Sequence, residues 1–150
     1  MIIYPPNPIP EAGNAIFLAG SIEQDHAQNW QELITQNIDN ENIIVLNPRR
    51  KDWDQSWKEE IENPYFLEQV EWELKGQERA DLIIMYFDPD TQSPVSLLEL
   101  GLFAQSRKMI VCCPKGFWKK GNVDIVCRRY NIVQVESLNE LIEKARSYKF

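Results

Sequence analysis

Apolar runs of only four to six residues, rich in β-branched side chains, alternate along this chain with longer stretches whose apolar residues return every three or four positions. The short runs predict buried strands and the longer periodic stretches predict helices. Strands are expected at Ala15 to Ala19, Ile43 to Leu46, Leu82 to Phe87, Met109 to Cys113 and Ile132 to Val135. Helices are expected at Ala27 to Ile38, Tyr65 to Arg79, Pro94 to Ser106, Val123 to Arg129 and Leu138 to Tyr148. Ser93 before Pro94 reads as an N-cap followed by a proline at the first helical position. Ser137, with Glu140 three residues on, reads as a capping box.

Strand and helix in strict alternation is the pattern of a parallel sheet covered on both faces. The expected fold class is α/β: a flavodoxin-like three-layer sandwich with a five-stranded parallel sheet in order 2-1-3-4-5. Ligands of such sheets bind beyond the carboxyl ends of the strands. The loops there are Gly20-Ser21-Ile22, the long stretch from Asn47 to Pro64, Asp88 to Ser93, and Pro114 to Asn122. Met1 to Asn14, with four of the nine prolines, reads as an extended arm. At 150 residues the chain is expected to form one domain, residues 1–150.

Charge narrows the partners. A formal net charge of -7 argues against a nucleic-acid backbone as partner. Residues 1–106 hold 6 Lys/Arg against 19 Asp/Glu, and residues 107–150 hold 10 against 4. Ordinary solvated faces account for this difference, and a symmetric assembly pairing surfaces of opposite sign is the alternative. Cys112, Cys113 and Cys127 are odd in number and lack a zinc spacing, and His26 is the only histidine. No metal or other cofactor is expected. No stretch approaches membrane-spanning length, so a reduced, cytoplasmic address without membrane association is expected.

One carboxylate stands out. Between Thr91 and Ser106 the only charged residue is Glu99, set within Leu97-Leu98-Glu99-Leu100-Gly101-Leu102-Phe103. A carboxylate in such surroundings is paired, kept neutral by a raised pKa, or turned toward a cleft. The cleft reading makes Glu99 a nucleophile or acid/base group; its structural rival is an ion pair with Arg79 or Arg107. Glu73 is the second candidate, because Phe66, Val70 and Glu73 share one helical stripe. Glu68, Glu71 and Glu78 compete with it as ordinary solvated charges. Two carboxyl groups in unlike environments are what cleavage of a glycosidic bond needs, one ionised and one protonated.

Other candidates contribute less by themselves. Gly20-Ser21 ends the first strand, where a glycine lets a ligand approach the backbone and a hydroxyl can bond it. The chain has neither a Gly-x-Gly-x-x-Gly nor a Walker sequence, so dinucleotide and triphosphate binding are not indicated. The stretch Asn47 to Trp57 mixes guanidinium groups with indoles, which suits stacking on a base or holding an anion, and equally suits pinning the loop down.

The segments IFLAGSIE, NPRRKDWD, QVEWEL, SPVSLLELG and CCPKGFW…GNV, in this order, resemble the nucleoside 2-deoxyribosyltransferases, closest to their deoxyribosyltransferase-like branch. The likeness spans roughly residues 15–135. It extends more distantly to the 2'-deoxynucleoside 5'-phosphate N-hydrolases. The resemblance implies no metal and a glutamate, matched by Glu99, that forms a covalent bond to the sugar's anomeric carbon. It places the family's base-side aspartate on Glu73 and a 5'-side sugar contact on Ser93. Asn122 resembles an asparagine lent by a neighbouring subunit, which implies a homo-oligomer. Further substrate contacts are expected from Phe17, Gly20, Ser21, Ile22, Arg49, Trp53 and Asp88.

Two positions depart from the family's pattern. Phe17 replaces the tyrosine that orients the nucleophile, and Glu73 is one methylene longer than the aspartate. The expected activity is cleavage or exchange of the N-glycosidic bond of a (deoxy)nucleoside or nucleotide. The alternatives are a nucleoside 5'-monophosphate N-glycoside hydrolase and a non-catalytic module that senses a nucleotide or sugar-nucleotide.

Overall fold

The structure, a computed structural model, describes residues 1–22, 29–38 and 42–150. Its strands are β1 (Ile2–Ile3), β2 (Asn14–Gly20), β3 (Ile43–Leu46), β4 (Leu82–Tyr86), β5 (Met109–Cys112) and β6 (Val133–Val135). The helices are α1 (Trp30–Asn37), α2 (Pro64–Arg79), α3 (Pro94–Phe103), α4 (Lys120–Arg129) and α5 (Leu138–Arg146). Every pair of neighbouring strands is parallel. Of the helix expected from Ala27, the residues before Asn29 lie outside the described ones, as does His26.

Alternation along each strand sends successive side chains to opposite faces, and so splits the core in two. Ala15, Phe17 and Ala19 of β2 join Ile83, Met85 and Val111 beneath α2, α3 and α4, represented by Trp72, Leu100 and Val123. Ile16 and Leu18 join Ile84, Ile110 and Cys112 beneath α1 and α5, represented by Trp30, Ile34, Leu141 and Ala145. Each fully buried Ile or Leu in these layers contributes about 1.5–3 kcal/mol relative to exposure. The three cysteines are buried and free, as expected of small core residues. No described helix is long and apolar enough to cross a membrane.

The sheet corrects one expectation. It has six strands in order β1-β3-β2-β4-β5-β6, instead of five in order 2-1-3-4-5. The extra strand comes from the N-terminal arm, whose residues Ile2 and Ile3 align with Val45 and Leu46 on the free edge of β3. The terminal ammonium donates to the Ile43 carbonyl at 2.8 Å, and the Asn47 amide donates to the Ile3 carbonyl at 3.0 Å. Without them the β3 edge would carry unpaired backbone groups, which is what an edge strand must avoid. The arm then crosses α2, where the Trp72 indole donates to the Asn7 carbonyl and Arg79 donates to the carbonyls of Pro10 and Gly13.

Side-chain caps open α1, α2 and α5, whereas α3 and α4 start without one. Asn63 caps α2, accepting from the amides of Tyr65 and Phe66. Ser137 caps α5, and Glu140 reaches back to the Glu136 amide, one residue short of a closed capping box. Ser93 departs from expectation: it adopts a left-handed conformation with φ 46°, and its hydroxyl makes no cap bond. That hydroxyl is drawn instead into a contact with β2, described below.

β2 and β4 come closest at Gly20. Its φ is +130°, and a Cβ there would lie 2.2 Å from the Tyr86 carbonyl oxygen. No side chain fits that space, and L-residues rarely adopt that backbone conformation. Gly20→Ala is expected to lower unfolding free energy by more than about 3 kcal/mol, read by urea denaturation followed by circular dichroism.

Candidate active site

At the carboxyl ends of β2, β3 and β4 opens one large cavity of about 1060 Å³. The ends of β2 and β3 supply its floor, α2 and α3 one wall, and the segment after β3 another. Of the candidate residues, Phe17, Gly20, Ile22, Arg49, Trp53, Glu73, Ser93 and Glu99 line it. Ser21 and Asp88 sit behind the lining, both buried. Asn122 stands apart, exposed on α4.

Glu99 keeps only 8% of its surface exposed. Neither arginine expected as its structural rival pairs with it: Arg79 is engaged by Pro10, Gly13 and Asp81, and Arg107 is exposed. Its partner is neutral, the Gln77 amide, which donates to Oε1 at 2.8 Å. Burial pushes the Glu99 carboxyl up to about 8, with the neighbouring Glu73 charge adding to the rise and the Gln77 bond opposing it. Desolvation outweighs the single hydrogen bond here.

Glu73 faces the same cavity from α2, together with Phe66 and Val70, so the sequence stripe is real. Its competitors are spent elsewhere: Glu68 pairs with Arg50 at 2.8 Å, while Glu71 and Glu78 are exposed. Burial pushes Glu73 up to about 7, opposed by the Gln69 amide, which donates to Oε1 at 2.7 Å. The same Gln69 amide donates to the Pro48 carbonyl at 2.9 Å, which ties α2 to the segment after β3. Two interacting carboxyl groups with pKa values near neutrality titrate as a pair and hold one proton between them around pH 7 to 8.

The glycine turn ending β2 organises a second polar cluster. Ser21 Oγ lies 2.9 Å from Thr91 Oγ1 and 2.6 Å from Ser93 Oγ, and accepts from the Asp88 amide at 2.9 Å. Thr91 and Ser93 are 2.7 Å apart, which closes a triangle of hydroxyls. The Trp30 indole holds the Ser21 carbonyl at 3.0 Å. Ser93 thus lines the cavity at the first turn of α3 with its position fixed by side chains of β4's loop and β2's end.

On the opposite wall, Arg49 donates through Nε to Gln31 Oε1 at 2.9 Å, and its buried Nη2 has no partner among the described residues. Burial pulls its pKa below the usual value, with Glu32 opposing. The two tryptophans of this segment sit differently. Trp57 stacks on Tyr65 at 4.9 Å and takes Arg50 over its ring, pinning the loop. Trp53 touches Trp57 edge-on and lines the cavity. No cluster of metal-ligating side chains occurs among the described residues.

Sequence reasoning missed Gln31, Gln69, Gln77 and Thr91. A signal for two of them was present, since Gln69, Glu73 and Gln77 lie four apart on one helical row.

Fold and cavity together define an α/β protein with a pair of elevated carboxyls in a cleft beyond the strand ends. The chain belongs to the nucleoside 2-deoxyribosyltransferase-like family, whose sequence pattern matches residues 13–117. A comparison with curated proteins finds no match. Among solved structures, the crystal structure of a conserved protein from Enterococcus faecalis superposes with a TM-score of 0.59 at 15% identity. The superposition covers 90% of this chain and 98% of that one. It shares the fold.

The elevated carboxyls carry a stability consequence. Both pKa values lie above that of an unfolded glutamate, so the folded chain binds the extra protons and stability is fully present below pH about 4.5. It is lost as pH rises through about 7 and 8. Glu99→Gln removes the larger share of this loss: thermal melts are expected to coincide with the parent near pH 4.5 and to show a gain on the order of a few kcal/mol at pH 9.

Proposed function

We propose that this protein cleaves or exchanges the N-glycosidic bond of a (deoxy)nucleoside or nucleotide through a covalent glutamyl-sugar intermediate. The observation that carries the reading is the pair Glu73 and Glu99, both raised toward neutrality within one cavity. Family membership supports the same chemistry.

In the first step a Glu99 carboxylate oxygen attacks the anomeric carbon. The carbon–nitrogen bond breaks, its electron pair stays on the base, and the Glu73 carboxyl donates its proton there. In the second step the nitrogen of an incoming base, or the oxygen of water, attacks the same carbon and expels Glu99, while Glu73 takes the acceptor's proton. Two inversions give net retention. The acceptor decides between transferase and hydrolase. Ser93, Arg49 and Trp53 line the cavity around the pair and are the proposed contacts to the sugar's 5' side and the base.

The reactive form has Glu99 ionised and Glu73 protonated, the less populated of the two singly protonated states, because Glu99 is raised further than Glu73. Acid fills both carboxyls and alkali empties both. The rate is therefore expected to follow a bell, with its maximum between about pH 7 and 8. Glu99→Ala is expected to cut turnover about 10³-fold or more, and Glu73→Gln about 10²-fold, in a chromatographic assay of deoxynucleosides, ribonucleosides and 5'-monophosphates with and without free base. Mass spectrometry after incubation with a 2-fluoro-2-deoxy nucleoside is expected to show an adduct on Glu99. Tight binding with neither adduct nor cleavage would assign the cavity to a sensor.

The proposal extends to a homo-oligomer with Asn122 reaching a neighbouring site. In support, α3 carries an exposed apolar stripe, Val95 at 58%, Leu98 at 64% and Leu102 at 58%, on the helix that holds Glu99. Asn122→Ala and Glu99→Ala chains, each impaired alone, are expected to regain about a quarter of the parental rate when mixed as a dimer exchanges subunits. No recovery on mixing would place Asn122 outside the site.

A further inference from the structure

Phe17 and Gly76 fit together. The Phe17 ring lies so close to α2 that a Cβ on Gly76 would sit 2.7 Å from it. The ring fills space beneath α2 and carries no hydroxyl toward Glu99. One residue further along, Gln77 is wholly buried, with its amide nitrogen between two acceptors. It donates to Glu99 Oε1 at 2.8 Å and lies 3.4 Å from the Glu73 carbonyl oxygen.

A backbone carbonyl only accepts, so the side of the amide facing it is the nitrogen, and the N–H is turned toward the carboxylate. The other end of the amide, Gln77 Oε1, is buried without a donor among the described residues. Gln77 therefore meets Glu99 as a donor, in an orientation set by the helix's own backbone. Glu73 on α2 is the neighbouring charge that acts on Glu99, and Glu32, Arg49, Arg50, Lys51 and Glu59 line the same cavity.

We infer that Gln77 is the positioning residue of Glu99, supplying from α2 the hydrogen bond that a tyrosine hydroxyl at position 17 would have supplied from β2. This rests on the reading of Glu99 as nucleophile. The bond fixes one carboxylate oxygen and leaves Oε2 unbonded among the described residues, free for the anomeric carbon. It also favours the ionised form, because an N–H bonds a carboxylate oxygen more strongly than a neutral carboxyl.

The test uses Gln77→Met, which keeps the volume and removes the donor. Expected are a fall in kcat of about 10- to 100-fold with KM within about 2-fold, and an alkaline limb of the pH profile displaced upward by about one pH unit, because Glu99 holds the higher pKa of the pair. A fall in kcat with the limb in place would mark Gln77 as a packing residue and overturn the inference. An independent measurement needs no turnover and no change at position 77. In the parent, the NMR shifts of the Gln77 side-chain amide are expected to follow the titration of Glu99, and in Glu99→Gln that titration step is expected to vanish. A Gln77 amide that ignores Glu99 overturns the inference. If the amide follows Glu99 while no nucleoside is cleaved, the positioning contact stands and the glycosyl-transfer reading falls.

Discussion

Two carboxyl groups share a poorly hydrated cleft, and the cost of charge there governs the site. Each glutamate receives one neutral amide, Gln69 on Glu73 and Gln77 on Glu99. A hydrogen bond from a neutral donor to a charged group is worth about 1.5–3 kcal/mol, whereas removing a carboxylate from water costs several. The amides lose that contest. Both groups consequently stay above their ordinary range, where a proton can be held or released near neutrality. An arginine in place of either glutamine would have favoured ionisation strongly and removed the acid from the pair.

What makes weak donors sufficient is that neither is free to turn. Gln69 is fixed by the Pro48 carbonyl and Gln77 by the Glu73 carbonyl, both groups that only accept. The hydroxyl cluster opposite follows the same logic. Gly20 lets β2 approach β4 closely enough for the Ser21 amide to meet the Tyr86 carbonyl at 3.0 Å, which puts Ser21 Oγ within reach of Thr91 and Ser93. Strand ends and helix starts thus hold the polar groups, and a site on such elements keeps its geometry better than one on loops.

Five of the six strands were legible, the four interior ones because buried parallel strands read as short unbroken apolar runs, as Leu82–Tyr86 and Met109–Cys112 do. Glu99 was legible for the converse reason, one charge among leucines, and Glu73 through its stripe with Phe66 and Val70. β1 was not: Ile2 and Ile3 are followed by prolines, and their pairing depends on a β3 edge more than forty residues away. Ser93 before Pro94 has every local mark of a cap, yet contacts at Ser21 and Thr91, remote or loop-borne, claimed its hydroxyl. Gln77 gave no hydropathy signal because a neutral polar residue is as ordinary on a wet helix face as on a buried one. Only its place one turn beyond Glu73 hinted at its burial.

With Phe17 packed against Gly76, the group that holds Glu99 belongs to α2, the helix that also carries Glu73. Gln69, Glu73 and Gln77 then form one row on that helix, so both carboxyls take their reference from a single rigid element. Their separation is buffered against small shifts of β2. The segment after β3 is tied to the same helix twice, through Pro48 to Gln69 and through Arg50 to Glu68 at 2.8 Å. A displacement of α2 therefore carries Glu73, the donor to Glu99 and the segment that holds Arg49 and Trp53 together.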